Sequence, residues 1–245
     1  MLKVFFFLLT FNLYAYAHTS ITELKYEGGI SLFGKVGTAN VELIEDFSKN
    51  KYKIKITTKS IGLVKKLTAN REDIYISEGD IVNNTYIPEK FTKLVVKDEY
   101  YEKTTYTFDY KKKEIIRNKI LKEVEYVHRF DIETMALVRE KNFIQKNKSK
   151  TIDFTENDFL SLFLNLRKGN IDNGPISYID KSKKDDLNLI NQNLFEVQKD
   201  HGEAIYRIGF KNDDSIFVKE AVAEDIAFYG DAYIRKVYEE NKILN

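Results

Sequence analysis

Residues 52–57 alternate Tyr52, Ile54 and Ile56 with Lys53, Lys55 and Thr57. A period of two sends successive side chains to opposite faces of a strand, so the first set points into a core and the second into water. The pattern recurs along the chain. Tyr106, Phe108 and Tyr110 share a face, and Val124, Tyr126, His128 and Phe130 share another, opposite Glu123, Glu125 and Arg129. Further extended segments are expected at 22–33, 35–44, 67–76, 94–97, 114–121, 205–210 and 215–222. Residues 225–235 make a last strand, with Phe228 facing one way and Tyr229 and Tyr233 the other. Residues 136–144 suit a strand or a helix, and 186–198 suit a hairpin or an amphipathic helix, with strands preferred. About a dozen strands with one apolar face each need a shared interior. The expected fold is mainly β, a single antiparallel sheet of ten or more strands, barrel-like or strongly curved, with a β-sandwich as the alternative.

Punctuation between the strands is sparse, with two prolines and 11 glycines in 245 residues. Gly34 and Gly37 predict a kink between two strands, 46–50 a polar turn, and 59–66 a bend or short helical turn. Ser77-Glu-Gly-Asp reads as a hairpin signal, and Pro88, which cannot donate to a ladder, as an edge or a break. Residues 147–150 read as a polar interruption and 169–184 as a loop.

One stretch departs from this rhythm. In 155–168, TENDFLSLFLNLRK, Phe159, Leu162, Phe163 and Leu166 fall at i, i+3, i+4 and i+7, a helical stripe widened by Leu160 and Leu164. Thr155 with Asp158 three residues on resembles a capping box, and Arg167, Lys168 and Gly169 close the other end. Side chains fill a barrel of about eight strands, whereas a wider one holds a cavity or a plug. This amphipathic helix is the expected plug or lid.

The first 17 residues carry Lys3, an apolar run and Ala15-Tyr16-Ala17. They read as a secretory signal cut after Ala17, the alternative being an uncleaved anchor or a buried helix. The expected organisation is therefore a leader at 1–17 and one β-rich domain at 18–245. No later stretch is long and apolar enough to span a bilayer as a helix. There is no cysteine, which excludes disulfides, thiolate metal sites and a catalytic thiol. Without Lys3, 38 basic side chains meet 38 acidic ones, so the basic excess of a nucleic-acid binder is missing.

Several short motifs, in order, resemble the exported bacterial proteins grouped as domain-of-unknown-function 3108. They are Tyr26 followed by SLFGKVGTANVEL, YKIKI at 52–56, KSIGLV at 59–64, Arg71 with Asp73 and Tyr75, and Ser77-Glu-Gly. Ile87-Pro88 with Phe91, Phe108-Asp-Tyr, and the helix from Asp158 to Arg167 continue the match over 26–167. The resemblance implies a periplasmic, mostly β protein without an assigned activity. At fold level alone, an incomplete barrel with a helix over its mouth is similar to the periplasmic lipoprotein carriers and receptors.

Residues for chemistry are scarce. His18, His128 and His201 are far apart in sequence, the aspartate pairs at 185–186 and 213–214 suit turns, and no nucleophile elbow or phosphate-binding glycine loop occurs. The expectation is a protein that is not an enzyme and uses no metal or cofactor. His128 is expected as a hydrogen-bonded interior or barrel-lining residue. The aromatic residues suit either ordinary core or a lined apolar cavity. For the cavity, Phe159, Leu162, Phe163, Leu166, Tyr126 and His128 are the candidate ligand-binding residues, and the ligand a lipid, acyl chain or lipoprotein part. The lysine runs at 111–113 and 181–184 are solvated turns, or ring the cavity mouth. The alternative is an interaction module that docks on an envelope protein through a sheet edge or the Tyr229 and Tyr233 face.

Overall fold

The computed structural model describes residues 18–133, 135–179, 185–199, 205–224 and 230–244. The leader at 1–17, the lysine run at 181–184, His201, Phe228 and Tyr229 lie outside the described residues.

Strands β1 (Thr19–Ile30), β2 (Gly34–Asp46) and β3 (Lys51–Ser60) lead to a short helix, α1 (Gly62–Leu67). Then come β4 (Glu72–Val82), β5 (Thr85–Lys97), β6 (Tyr100–Asp109), β7 (Glu114–Asp131) and β8 (Ala136–Asp153). After α2 (Phe159–Arg167) follow β9 (Gly174–Pro175), β10 (Asp185–Asn191), β11 (Leu194–Lys199), β12 (Ile205–Lys211), β13 (Glu220–Ala223) and β14 (Ala232–Leu244). All belong to one antiparallel sheet of 14 strands, ordered β8-β7-β6-β5-β4-β3-β2-β1-β14-β13-β12-β11-β10-β9. The chain thus runs away from β1 on one side and returns to it from the other, with β14 bridging both halves through its ladder to β1. Among the described residues the ladder ends at β8 and β9 and does not close, and the strands form one sheet rather than the two of a sandwich.

The alternation expected at 52–57 holds: Tyr52 and Ile54 are buried and Ile56 is half-buried. Other expectations need correction. Ser77-Glu-Gly-Asp lies inside β4, and the hairpin turn is at Asn83 and Asn84, both with positive φ (49° and 64°). Gly79 instead opposes Pro88 where the β4–β5 register shifts. A Cβ on Gly79 would sit 2.1 Å from the carbonyl oxygen of Ile87, so the bulge needs a glycine. Pro88 stands beyond the end of the β5–β6 ladder, which begins at Lys90, so β5 has an open side there, in line with the edge expectation, and the strand is not broken. The polar run at 147–150 belongs to β8, which is 18 residues long, and the last strand reaches Leu244.

The helix begins later than expected. Asp158 is its N-cap, accepting from the amides of Leu160 (2.7 Å) and Ser161 (3.0 Å), while the Ser161 hydroxyl accepts from the Asp158 amide (3.0 Å). The capping box is thus Asp158 with Ser161, one register on from Thr155 with Asp158. At the other end Gly169 takes a positive φ of 74°, and the Asn170 amide donates to the Asn165 carbonyl (2.9 Å), which stops the helix where the basic residues suggested.

α2 is buried on two sides. Leu160 and Leu164 join Leu24, Leu43, Ile54, Phe91, Tyr106 and Ile115 in the main core, built from β1 to β7. Leu162 and Leu166 join Ile176, Leu189 and Phe195 in a second cluster, on the β10–β11 side. One sheet that meets a helix from two sides must curl around it. Each of these leucines contributes roughly 1.5–3 kcal/mol by burial, so helix and curl stabilise one another.

Candidate functional site

The buried polar residues of α2 fasten it to the sheet. The Asp158 carboxylate also accepts from the Ser77 hydroxyl on β4 (2.6 Å), and the Ser77 oxygen in turn lies 2.8 Å from the Tyr52 hydroxyl on β3. Since Ser77 spends its hydrogen on Asp158, Tyr52 donates to Ser77. Complete burial pushes the Asp158 carboxyl up to about 6, against the opposing pull of its hydrogen bonds. Burial, followed by the nearby Asp158 charge, raises the Tyr52 phenol as well. The Tyr52–Ser77–Asp158 chain is thus a closed structural network: each oxygen is satisfied, and none of the three residues lines either of the hollows described below.

The space on the inner face lies at the other end of β3 from Tyr52, towards α1. Where the main core stops, β1, β2 and β3 carry Gly28, Gly37, Ala39 and Thr58, whose small side chains leave a hollow of about 320 Å³. Its walls are Tyr26, Val36, Val64 of α1 and Ile234 of β14, and its polar edge is Ser60, Lys59, Arg71 and Asp73. The exposed surface of its lining is mostly apolar. Arg71 grips Asp73 through Nε (2.9 Å), and the Ser60 hydroxyl is shared with Thr68 (2.9 Å). Tyr26 donates to the Val218 carbonyl (2.7 Å), and burial raises its phenol, so at neutral pH it is an uncharged wall. Contact is close at Gly37, where a Cβ would lie 3.1 Å from the Lys59 carbonyl oxygen. A second hollow of about 310 Å³, lined by Glu23, Lys25, Asn40, Glu42, Lys55, Thr57, Lys59 and Tyr238, is framed by charged side chains.

The six residues expected to line a cavity are not gathered in one place. Leu162 and Leu166 are core in the second cluster, and Phe163 stacks on Phe217 (6.0 Å between centroids) at the edge of the main core. Phe159 is 49% exposed, with its ring 6.0 Å from that of Tyr178. Tyr126 and His128 are far from α2, on the part of β7 that runs past β6. β6 ends its pairing with β7 at Tyr100 opposite Glu123, while β7 and β8 continue as a two-stranded arm to Asp131 opposite Ala136. Tyr126 donates to Glu99 (2.6 Å) and stacks under Arg139 (3.6 Å to the ring centroid), and His128 is exposed opposite Arg139. The expectation of an interior His128 is thereby corrected. A face that alternates cleanly at 124–130 is a core face only if the sheet beneath it continues, and here it does not.

The hollow was legible only in fragments. Gly37 marked a kink between strands, and Arg71 with Asp73 entered through the family resemblance, but neither pointed to the other. Of the expected docking pair, Tyr233 covers Gly29, whose Cβ would lie 2.3 Å from its ring.

Among the described residues no group of three or more histidines and carboxylates is placed to hold a metal ion, and no helix is long and apolar enough to cross a membrane. Fold and hollow together define a mainly antiparallel β protein that curls one sheet around a helix and leaves an apolar basin on its inner face. No protein-family model matches the chain, and no curated protein matches it.

Proposed function

We propose that this is an exported, non-enzymatic protein of the periplasm that holds an apolar ligand, a lipid, acyl chain or lipoprotein part, in the hollow over Gly28, Gly37 and Ala39. The observation that supports the reading is the lining: an apolar basin of about 320 Å³ with a few polar groups gathered at one side. Small-molecule sites have this character, from about 300 Å³ upward. Export rests on the leader-like sequence of residues 1–17, and membership of the domain-of-unknown-function 3108 family rests on the motifs of 26–167. The site differs from the one the helical stripe suggested, because α2 is consumed by packing.

Native mass spectrometry of protein purified without detergent, with organic extraction of the same sample, tests the proposal. The expected result is a reproducible bound lipid or acyl species that is lost in Ala39→Phe, a substitution that fills the basin. A clean unliganded mass, repeated after incubation with lipids, overturns it.

A second reading, docking on an envelope protein, is favoured by β8. Among the described residues this strand has one free edge along its 18 residues, and its outer part carries Leu137 and Phe143 in the open. Lys146, Lys148 and Lys150 guard the inner part against chance pairing, which leaves 136–144 as the stretch a partner strand would join.

A further inference from the structure

We infer that α1 is a lipid-contact element, and that its partner is the headgroup layer of an anionic bilayer. Its sequence is GLVKKL, and none of its six residues is buried. Leu63 is 71% exposed and Leu67 76%. Spaced i, i+4, they stand on one side of the helix. A helix this short has no stability of its own and normally exists because an apolar face packs on a core. Here only Val64 turns inward, to the wall of the hollow. The helix is held by its end: the Thr68 amide and hydroxyl both donate to the Val64 carbonyl (2.9 and 2.8 Å), and the Asn70 amide donates to the Lys65 carbonyl (2.8 Å). The fold therefore maintains two outward leucines that contribute nothing to its core.

Charge selects the partner. Lys65 and Lys66 lie between the leucines and form no ion pair among the described residues. Nearby in the chain or the sheet, the acids are engaged elsewhere: Glu72 with Lys59 (3.2 Å), Asp73 with Arg71 (2.9 Å) and Asp98 with Nδ2 of the Asn70 side chain (2.7 Å). Lysine is depleted from the centre of protein–protein interfaces. In segments that lie at a bilayer surface it accompanies leucine, the apolar side chains entering the acyl boundary and the ammonium groups meeting phosphates.

Topology adds a third observation. In an antiparallel meander alternate connections share an end, so the β1–β2 turn, α1 and the β7–β8 arm all leave the sheet at the same end. That turn exposes Leu32 and Phe33. The hollow reaches this end through Val36, Gly37, Ser60 and Val64. Lipid contact does not require that the hollow hold a ligand, so the two proposals stand or fall separately.

The test is flotation of the protein, purified without detergent, with vesicles of phosphatidylethanolamine and phosphatidylglycerol, and with vesicles of phosphatidylcholine alone. The expected result is co-flotation with the anionic vesicles that weakens as salt is added. Leu63→Glu/Leu67→Glu and Lys65→Glu/Lys66→Glu are each expected to lower the partition about tenfold or more. Because all four substituted side chains are exposed, both variants keep the wild-type melting temperature, which separates lost contact from lost fold. Wild-type protein that stays at the bottom of the gradient overturns the inference, as does equal flotation of all three proteins. A concentration-dependent dimer, seen by sedimentation and abolished by Leu63→Glu/Leu67→Glu, assigns the helix to self-association and also overturns it.

Discussion

The side-chain amide of Asn165 pairs with the backbone of Tyr86 as a neighbouring strand would, its Oδ1 accepting from the Tyr86 amide and its Nδ2 donating to the Tyr86 carbonyl, both at 2.8 Å. β6 leaves β5 at Lys90, so Tyr86 has no strand on that side. α2 supplies the missing partner from its own flank. Nδ2 also reaches Oδ1 of Asn157 (2.9 Å), which keeps the buried amide well satisfied.

Removing that amide leaves two buried backbone groups of Tyr86 unpaired, at about 1–3 kcal/mol each. Asn165→Ala is therefore expected to lose about 2–5 kcal/mol in urea denaturation. Asn165→Asp, which keeps the acceptor but loses both donors, is expected to lose stability too. If Asn165→Ala melts with the wild type, α2 does not hold the β5 edge.

Asp158 makes stability depend on pH in an unusual direction. Its carboxyl is pushed up to about 6 from an ordinary 3.8 by burial. An acid raised in the folded state binds its proton more tightly there than in the unfolded chain. Its ionised form therefore costs stability above pH 6, and the cost is relieved as pH falls through 6 towards 4, by on the order of 3 kcal/mol. Other carboxyls act oppositely, such as Asp213, held below its ordinary value by its hydrogen bond from Lys236. The readout is therefore the difference between wild type and Asp158→Asn across pH 4–8. The difference should shift in favour of the wild type as pH falls; a flat difference sinks the assignment.

Gly79→Ala places a methyl group against the Ile87 carbonyl at the β4–β5 bulge. Backbone cannot move aside there without opening the ladder, so a loss of about 3 kcal/mol or more is expected by thermal melting. Gly28→Ala, whose Cβ meets nothing closer than 3.6 Å, serves as the control and should stay within about 1 kcal/mol.

The β7–β8 arm should be dispensable for folding. Its outer residues, among them Phe130, Leu137 and Phe143, are exposed and pack on no core cluster. Replacing residues 124–143 by an Asn-Gly turn is expected to change stability by less than about 1 kcal/mol, and to raise solubility by removing exposed apolar surface. A cooperative loss of the whole fold shows instead that the arm stabilises it.

Strand existence could be read along most of the chain because burial on one face imposes a period of two that needs no partner to be seen. The turn at 46–50, the lysine-rich turn at 111–113 and the stop of α2 at Gly169 were equally local, each set by backbone preferences of a few residues. The same logic misled at Ser77-Glu-Gly-Asp, whose glycine is there for a contact with β5 eight or more residues away. The candidate site fared worse. A helical stripe says that one face is dry, but not whether protein or ligand dries it.

Local chemistry thus specified a mainly β chain with one helix near residue 160, since periodicity, capping and charge act over a turn or a strand. It left open which surfaces meet. Packing assigned Leu160 and Leu164 to one half of the sheet and Leu162 and Leu166 to the other, and sent Tyr126 and His128 out along an arm. It also made a hollow from Gly28, Gly37, Ala39 and Thr58, residues from three strands that share nothing except small size. Such a hollow is an absence of side chains between paired strands, and it takes form only when register and curl have been set by contacts distant in sequence.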